Sequence, residues 1–302
     1  MSLRFAYNTN GTAHHRLEDA IRLIKDAGYD GVALTLDIHH LDPFAENWIV
    51  EADHIATLLQ RLELGSVIET GARFLLDPSA KHEPTLVTAD ASGRARRIGF
   101  LKRAVDIAHV LKSEAVSFWA GVPKEGVDRA AAHGWLIEGL TEVAAYAEEK
   151  GVVAALEPEP GMLIETLDDF SGLDLPNLRL ALDTGHCLVT EERDPAAAVR
   201  EFAERLGTVA IEDMKRREHI HLPFGEGDMD VPSVLDALEA IDFQKLVCVE
   251  LSRESHRADV MVPRSLEYLR TCRRPGPGLP AADESAHEAL APQISTGVVA
   301  AS

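Results

Sequence analysis

Apolar residues along this chain alternate between two periods. Short runs of aliphatic and β-branched residues recur: LRFAYNT (3–9), GVALTLD (31–37), SVIETGA (66–72), AVSFWAG (115–121), VVAALEPEPG (152–161), LRLALDTGH (178–186), GTVAIEDM (207–214) and KLVCVELSRES (245–255). Runs of this length and composition predict strands. Between them the apolar spacing widens to three and four. RLEDAIRLIKDAG (16–28) puts Leu17, Ala20, Ile21 and Ile24 on one helical face and stops at Gly28, a residue suited to a helix C-cap. Further helices are predicted over 92–113, with Ser92 as cap, over 133–151, ending at Gly151, and over 194–207, with Asp before Pro at the first turn. Two more are predicted over 231–243 and 258–271.

Eight strands, each followed by a helix or a long loop, predict an α/β fold with a parallel sheet and right-handed crossovers. Eight is also the number that closes a (β/α)8 TIM barrel; a doubly wound open sheet is the alternative. The chemistry of the strand ends favours the barrel. Four consecutive runs close on acids: Glu157, Asp183, Glu212 or Asp213, and Glu250. An open sheet gathers its ligand at one switch point, whereas a barrel mouth collects residues from all eight strands. The predicted barrel covers 1–273. Residues 274–302, rich in Pro, Gly, Ala and Ser without periodicity, read as a disordered tail.

An unpaired charge costs several kcal/mol to bury. Four carboxylates at equivalent places therefore suggest a shared partner, and a divalent cation is the simplest. Histidines accompany them. Asp183 and His186 are three apart in ALDTGH, and His219 and His221 form a His-x-His pair in REHIHLPFGEGD, whose alternate residues share one face of an extended segment. Alone, such a pair is more often solvated than metal-bound; its conjunction with the acids points to a metal. Other predicted mouth residues suit a polyol. They are Asn8, His39 and His40, Glu69 and Arg73, and Trp119, whose ring would stack on a sugar. Lys215, Arg216 and Arg217 could hold a carboxylate or phosphate; as a solvated loop they need no ligand. Lys81 to Pro84 fall in a long loop suited to a lid.

The segments ALEPEP, ALDTGH, HIHLPFGEGDMDVPSVLDAL and VCVELS resemble those of the xylose isomerase-like TIM-barrel superfamily, over roughly 1–270. That superfamily includes sugar isomerases, ketose 3-epimerases, inosose dehydratases and a type of DNA-repair nuclease. The resemblance implies a metal held by Glu157, Asp183 and Glu250, with a fourth ligand, usually His, on the seventh strand. Here that position is Ala210. Three arrangements stay open. Glu212 has the parity of Ala210 and could substitute; water could fill the place; or the ion could shift to His186, His219 and His221, which match second-metal positions of the superfamily.

The resemblance implies a metal-dependent isomerase or epimerase acting on a sugar, keto-sugar or cyclitol through an enediolate. Mn²⁺, Mg²⁺, Co²⁺ or Zn²⁺ would be the cofactor, Glu157 and Glu250 would move the proton, and His186 would orient a hydroxyl. An inosose-type dehydratase and a non-catalytic sugar-binding barrel are the alternatives. Composition narrows the partners. The chain has 302 residues, 46% hydrophobic, with net charge −20, which disfavours nucleic acid and anionic membranes. A homo-oligomer is compatible with it. Three cysteines without paired spacing and no evident secretory signal fit a reducing, cytoplasmic setting.

Overall fold

The computed structural model describes residues 2–71 and 73–273; the expected tail, 274–302, lies outside the described residues. The chain runs β1 (Arg4–Asn8), α1 (Leu17–Ala27), β2 (Gly31–Thr35), α2 (Trp48–Arg61), β3 (Gly65–Glu69), α3 (Ala91–Leu111), β4 (Val116–Trp119), α4 (Arg129–Lys150), β5 (Ala154–Glu157) and α5 (Leu167–Ser171). It continues through β6 (Leu178–Asp183), α6 (Thr184–Thr190), α7 (Pro195–Glu201), β7 (Leu206–Ile211), β8 (Asp213–Lys215), β9 (Glu218–Leu222), α8 (Val231–Ala240), β10 (Leu246–Val249) and α9 (Ala258–Cys272). Strands β1 to β7 and β10 form a closed parallel barrel, in which β10 pairs with both β7 and β1. The open-sheet alternative is thereby excluded. Strands β8 and β9 form a separate antiparallel hairpin.

Aspartates set most of the helix starts. Asp90, Asp128, Asp194 and Asp230 each accept a backbone N–H three residues on, satisfying donors the helix cannot. The cap of α3 is thus Asp90 rather than Ser92. Helix α2 was not expected from the sequence. It buries Ala52, Ile55, Leu58 and Leu59, but its first turn exposes Ile49 and Val50, which blurs the helical pattern.

Parity along the strands separates packing from chemistry. Ala6, Ala33, Val67, Ala115, Leu246 and Cys248 form one buried apolar cluster. Two residues further along the same strands come Asn8, Thr35, Glu69, Ser117 and Glu250, all lining one cavity. Two residues along a strand is one pleat repeat on the same face. Each of these five strands therefore contributes an apolar plug and then a polar side chain at the carboxyl-end mouth.

Candidate active site

The mouth holds a cavity of about 340 Å³. Glu69, Glu157, Glu159, Glu250, His186, His219 and His221 bring its acids and imidazoles; Arg73, Lys81 and Arg253 bring its cations. Trp119 lines it as well, backed by the guanidinium of Arg97 at 4.2 Å from its ring centroid and touched edge-on by His82. Burial of Arg97 depresses its pKa to about 9.

Local folding aims the histidines. Asp183, the last residue of β6, accepts N–H groups from Gly185 and His186 and so caps α6. The Thr-Gly dipeptide read as a turn is the first turn of this helix. It turns His186 over the β5 end, where its Nδ1–H donates to the Pro158 carbonyl at 3.0 Å. With Nδ1 carrying the hydrogen, the lone pair of a neutral ring sits on Nε2. That atom lies 3.1 Å from His219 Nε2, 3.4 Å from Asp183 Oδ2 and 3.7 Å from Glu159 Oε2. His219 Nε2 is itself 3.7 Å from Glu159 Oε1. His219 and His221 both come from β9 and line the same cavity.

Among the described residues, three overlapping groups have ligand atoms within 4.8 Å of one another: Glu159, His186 and His219; Glu157, Asp183 and His186; and Asp183, Glu212 and His221. The first lies entirely on the cavity wall. Glu250 belongs to none of the three; it lines the cavity and accepts a hydrogen bond from Asn10 Nδ2 at 2.8 Å. Ala210 does line a small void of about 10 Å³ with Glu69, Glu157, Asp183 and Glu250.

The acids crowd one another. Burial, then the charges of Glu159, Asp183 and Glu250, push the Glu157 carboxyl well above its usual range. Burial, then Glu250, does the same to Glu69, and burial raises Glu159. Asp183 goes the other way. Burial, its largest influence, opposes the charge, but the His186 ring helps hold its pKa down to about 2. Burial and the neighbouring His186 lower His219 to about 4.

Two expected substrate contacts fall elsewhere. Arg217 is 80% exposed and pairs with Glu191, because the tight turn between β8 and β9 points it outward. Lys215 is exposed in the same hairpin. His39 is exposed and lines a separate groove with Leu17, Leu41 and Ile55; the loop after β2 bends away from the mouth. His40 is buried and donates to the His15 carbonyl. Glu159, Asn10 and Arg253 were not singled out as site residues. Glu159 had a legible signal, the parity it shares with Glu157. Asn10 and Arg253 lie beyond the strands, where periodicity carries no information.

The Gly225–Asp228 stretch is a structural clamp. Asp213 accepts N–H groups from Gly225 and Met229, and Asp228 accepts from Arg216. A Cβ on Gly227 would stand 2.3 Å from Asp213 Oδ1. The motif thus fastens the loop before α8 to the hairpin that carries the two histidines.

Comparison with known proteins decides the family. The model of the xylose isomerase-like TIM barrel matches residues 21–272. The chain belongs to this family. No curated protein sequence matches it. Among solved structures, this xylose isomerase-like barrel is similar to D-allulose 3-epimerase from Methylomonas sp. in complex with D-allulose (20% identity, TM-score 0.69, covering 89% of this chain and 96% of that one). It is also similar to a probable 3-DHS dehydratase from Bacillus anthracis (13% identity, TM-score 0.70, 89% and 99%) and to the IolI protein with a zinc atom (18% identity, TM-score 0.67, 89% and 96%). At these identities the likeness establishes the fold alone.

Proposed function

We propose that this barrel is a metal-dependent isomerase or epimerase of a sugar, keto-sugar or cyclitol. One observation carries the reading. A group of two imidazoles and a carboxylate, Glu159, His186 and His219, shares a monosaccharide-sized cavity with two further carboxylates from separate strands, Glu157 and Glu250.

The residues fit a divalent ion. Two imidazole nitrogens 3.1 Å apart both reach one ion at about 2.0–2.1 Å. The Nδ1–H bond of His186 to a carbonyl is the outer support that metal-bound histidines use. An N/O donor set suits Zn²⁺, Mn²⁺ or Co²⁺ better than Ca²⁺. The bound ion would polarise a carbonyl and its neighbouring hydroxyl, acidifying the hydrogen on carbon. Glu157, whose carboxyl is held above the usual range, is a stronger base than an ordinary carboxylate and is suited to accept the proton. Glu250, fixed by Asn10, would return it on the other side. Trp119 would cover the apolar face of the ring, and Arg73, Lys81 and Arg253 would meet polar or anionic groups at the rim.

Incubation with ketoses in D₂O tests the reading by NMR. Wild type is expected to exchange the hydrogen beside the carbonyl, and Glu157→Gln and Glu250→Gln to lose roughly 10²-fold or more of that rate. Exchange unaffected by both substitutions would sink the assignment. The similarity to a dehydratase supports a second reading, loss of a β-hydroxyl after the same proton removal. An enone absorbance in place of deuterated epimer would establish it.

A further inference from the structure

Behind the cavity wall, two acids are packed almost out of solvent; Asp183 faces the His186 ring at 3.4 Å, and among the described residues Glu212 pairs with no cation. Glu212 is 0% exposed and Asp183 3% exposed. Both carboxylate oxygens of Glu212, Oδ2 of Asp183 and Nδ1 of His221 are buried without hydrogen-bond partners. These same three residues present ligand atoms within 4.8 Å of one another. Neither Asp183 nor Glu212 lines the cavity, so substrate cannot be what satisfies them.

Burying two adjacent carboxylates this way is expensive by several kcal/mol unless something neutralises them. A divalent ion does so stoichiometrically: two carboxylates and a neutral imidazole leave no net charge. Glu212 is held in place for this. A Cβ on Gly185 would lie 2.2 Å from Glu212 Oε1, so the first turn of α6 leaves room for the acid only because residue 185 is glycine. Asp183 spends its other oxygen, Oδ1, on the α6 backbone, while Oδ2, 3.4 Å from His186 Nε2, accepts no hydrogen bond.

We propose that Asp183, Glu212 and His221 form a buried divalent-cation seat, distinct from the cavity-facing group of Glu159, His186 and His219. Its chemistry, two carboxylate oxygens and one imidazole nitrogen, suits Zn²⁺, Mn²⁺ or Co²⁺. The seat would fasten the β8–β9 hairpin, through His221, to the ends of β6 and β7. It thereby sets the position of His219, two residues away on the same strand. Glu212 then supplies, two residues further along, the β7 ligand that Ala210 cannot. This inference rests on the metal-dependent reading above, but the two are separable by experiment.

The experiment is calorimetric titration of chelator-stripped full-length protein with ZnCl₂ and with MnCl₂, plus anomalous diffraction from metal-soaked crystals. Wild type is expected to take two equivalents. Glu212→Gln keeps the shape and removes the charge; it is expected to lose one equivalent, or at least 10-fold in its affinity, and keep the other. His221→Gln should behave likewise, and His219→Ala should lose the other equivalent. Circular dichroism of the stripped variants checks that each is folded. If Glu212→Gln and His221→Gln both bind as many equivalents as wild type at unchanged affinity, the seat is overturned, and Glu212 is a neutral acid sharing a proton with Asp183. Loss of metal only in His219→Ala also overturns the seat while leaving the proposed function standing. Loss only in Glu212→Gln and His221→Gln supports the seat and defeats the cavity-facing ligand set.

Discussion

Ala210 stands at the seventh-strand position where the family resemblance implies a metal-ligating histidine. It pairs in register with Asp183 on one side and Cys248 on the other, and the void beside it is only about 10 Å³. An imidazole there would crowd the carboxylates that line the void. Ala210→His is therefore expected to destabilise the chelated protein by about 1–3 kcal/mol in urea denaturation. It should leave metal affinity within about 2-fold of wild type, whereas His219→Ala weakens it at least 10-fold; tightening by Ala210→His would instead place the ion among Glu157, Asp183 and Glu250. The raised carboxyls make a second prediction. Glu157 and Glu159 hold protons at higher pH than ordinary acids, and an ion must displace them. Metal binding should release protons and tighten as pH rises. Calorimetry in buffers of different ionisation enthalpy measures both, and the slope should flatten in Glu159→Gln.

At the scale of elements, the site is built where strands end and connections begin. The hairpin β8–β9 supplies two of the three clustered histidines, α6 the third, and the loop after β3 brings Lys81 to the cavity and His82 edge-on against Trp119. That loop is keyed to β4 at Gly121. Its φ is +104°, and a Cβ there would lie 2.3 Å from Thr85 Cβ. Gly121→Ala combines left-handed strain with a clash against a buried threonine. It should cost about 1–3 kcal/mol in thermal or chemical denaturation and red-shift the emission of Trp119 as the loop lifts. A variant of wild-type stability would show that the loop is not keyed there.

For the whole molecule, acid stability is the property that sums these local environments. Burial, then Lys81, depresses His82 to about 4, below the ordinary value of about 6.5. Between those two values the unfolded chain binds a proton that the folded chain refuses. Stability is therefore lost as pH falls from about 6.5 toward 4. The raised His186 acts in the opposite sense, its contribution present below about 6.5 and lost as pH rises through its folded pKa. With chelator present, melting temperature should fall across pH 6.5 to 4, and His82→Gln should make that fall shallower. An identical slope in the variant would assign the acid lability to other groups.

The barrel itself was legible in the chain, because a strand buried on both faces and a helix buried on one leave different periods in the apolar pattern. Parity along a strand is equally local, so Glu157 and Glu250 stood out as mouth residues, whereas Asp183, expected beside them, lies behind the cavity wall; the shared face of His219 and His221 followed from alternation. What the chain did not reveal lies where no period operates. The loops after β2 and β8 turn His39 and Arg217 away from the mouth, and those after β1 and β10 turn Asn10 and Arg253 into it. Those directions depend on which neighbouring elements pack beneath each loop. The same holds for the carboxylates. That Glu212 can lie behind the cavity wall depends on the narrow width of Gly185 in α6, a contact with the end of β7 across 27 residues of sequence that only the closed barrel brings together.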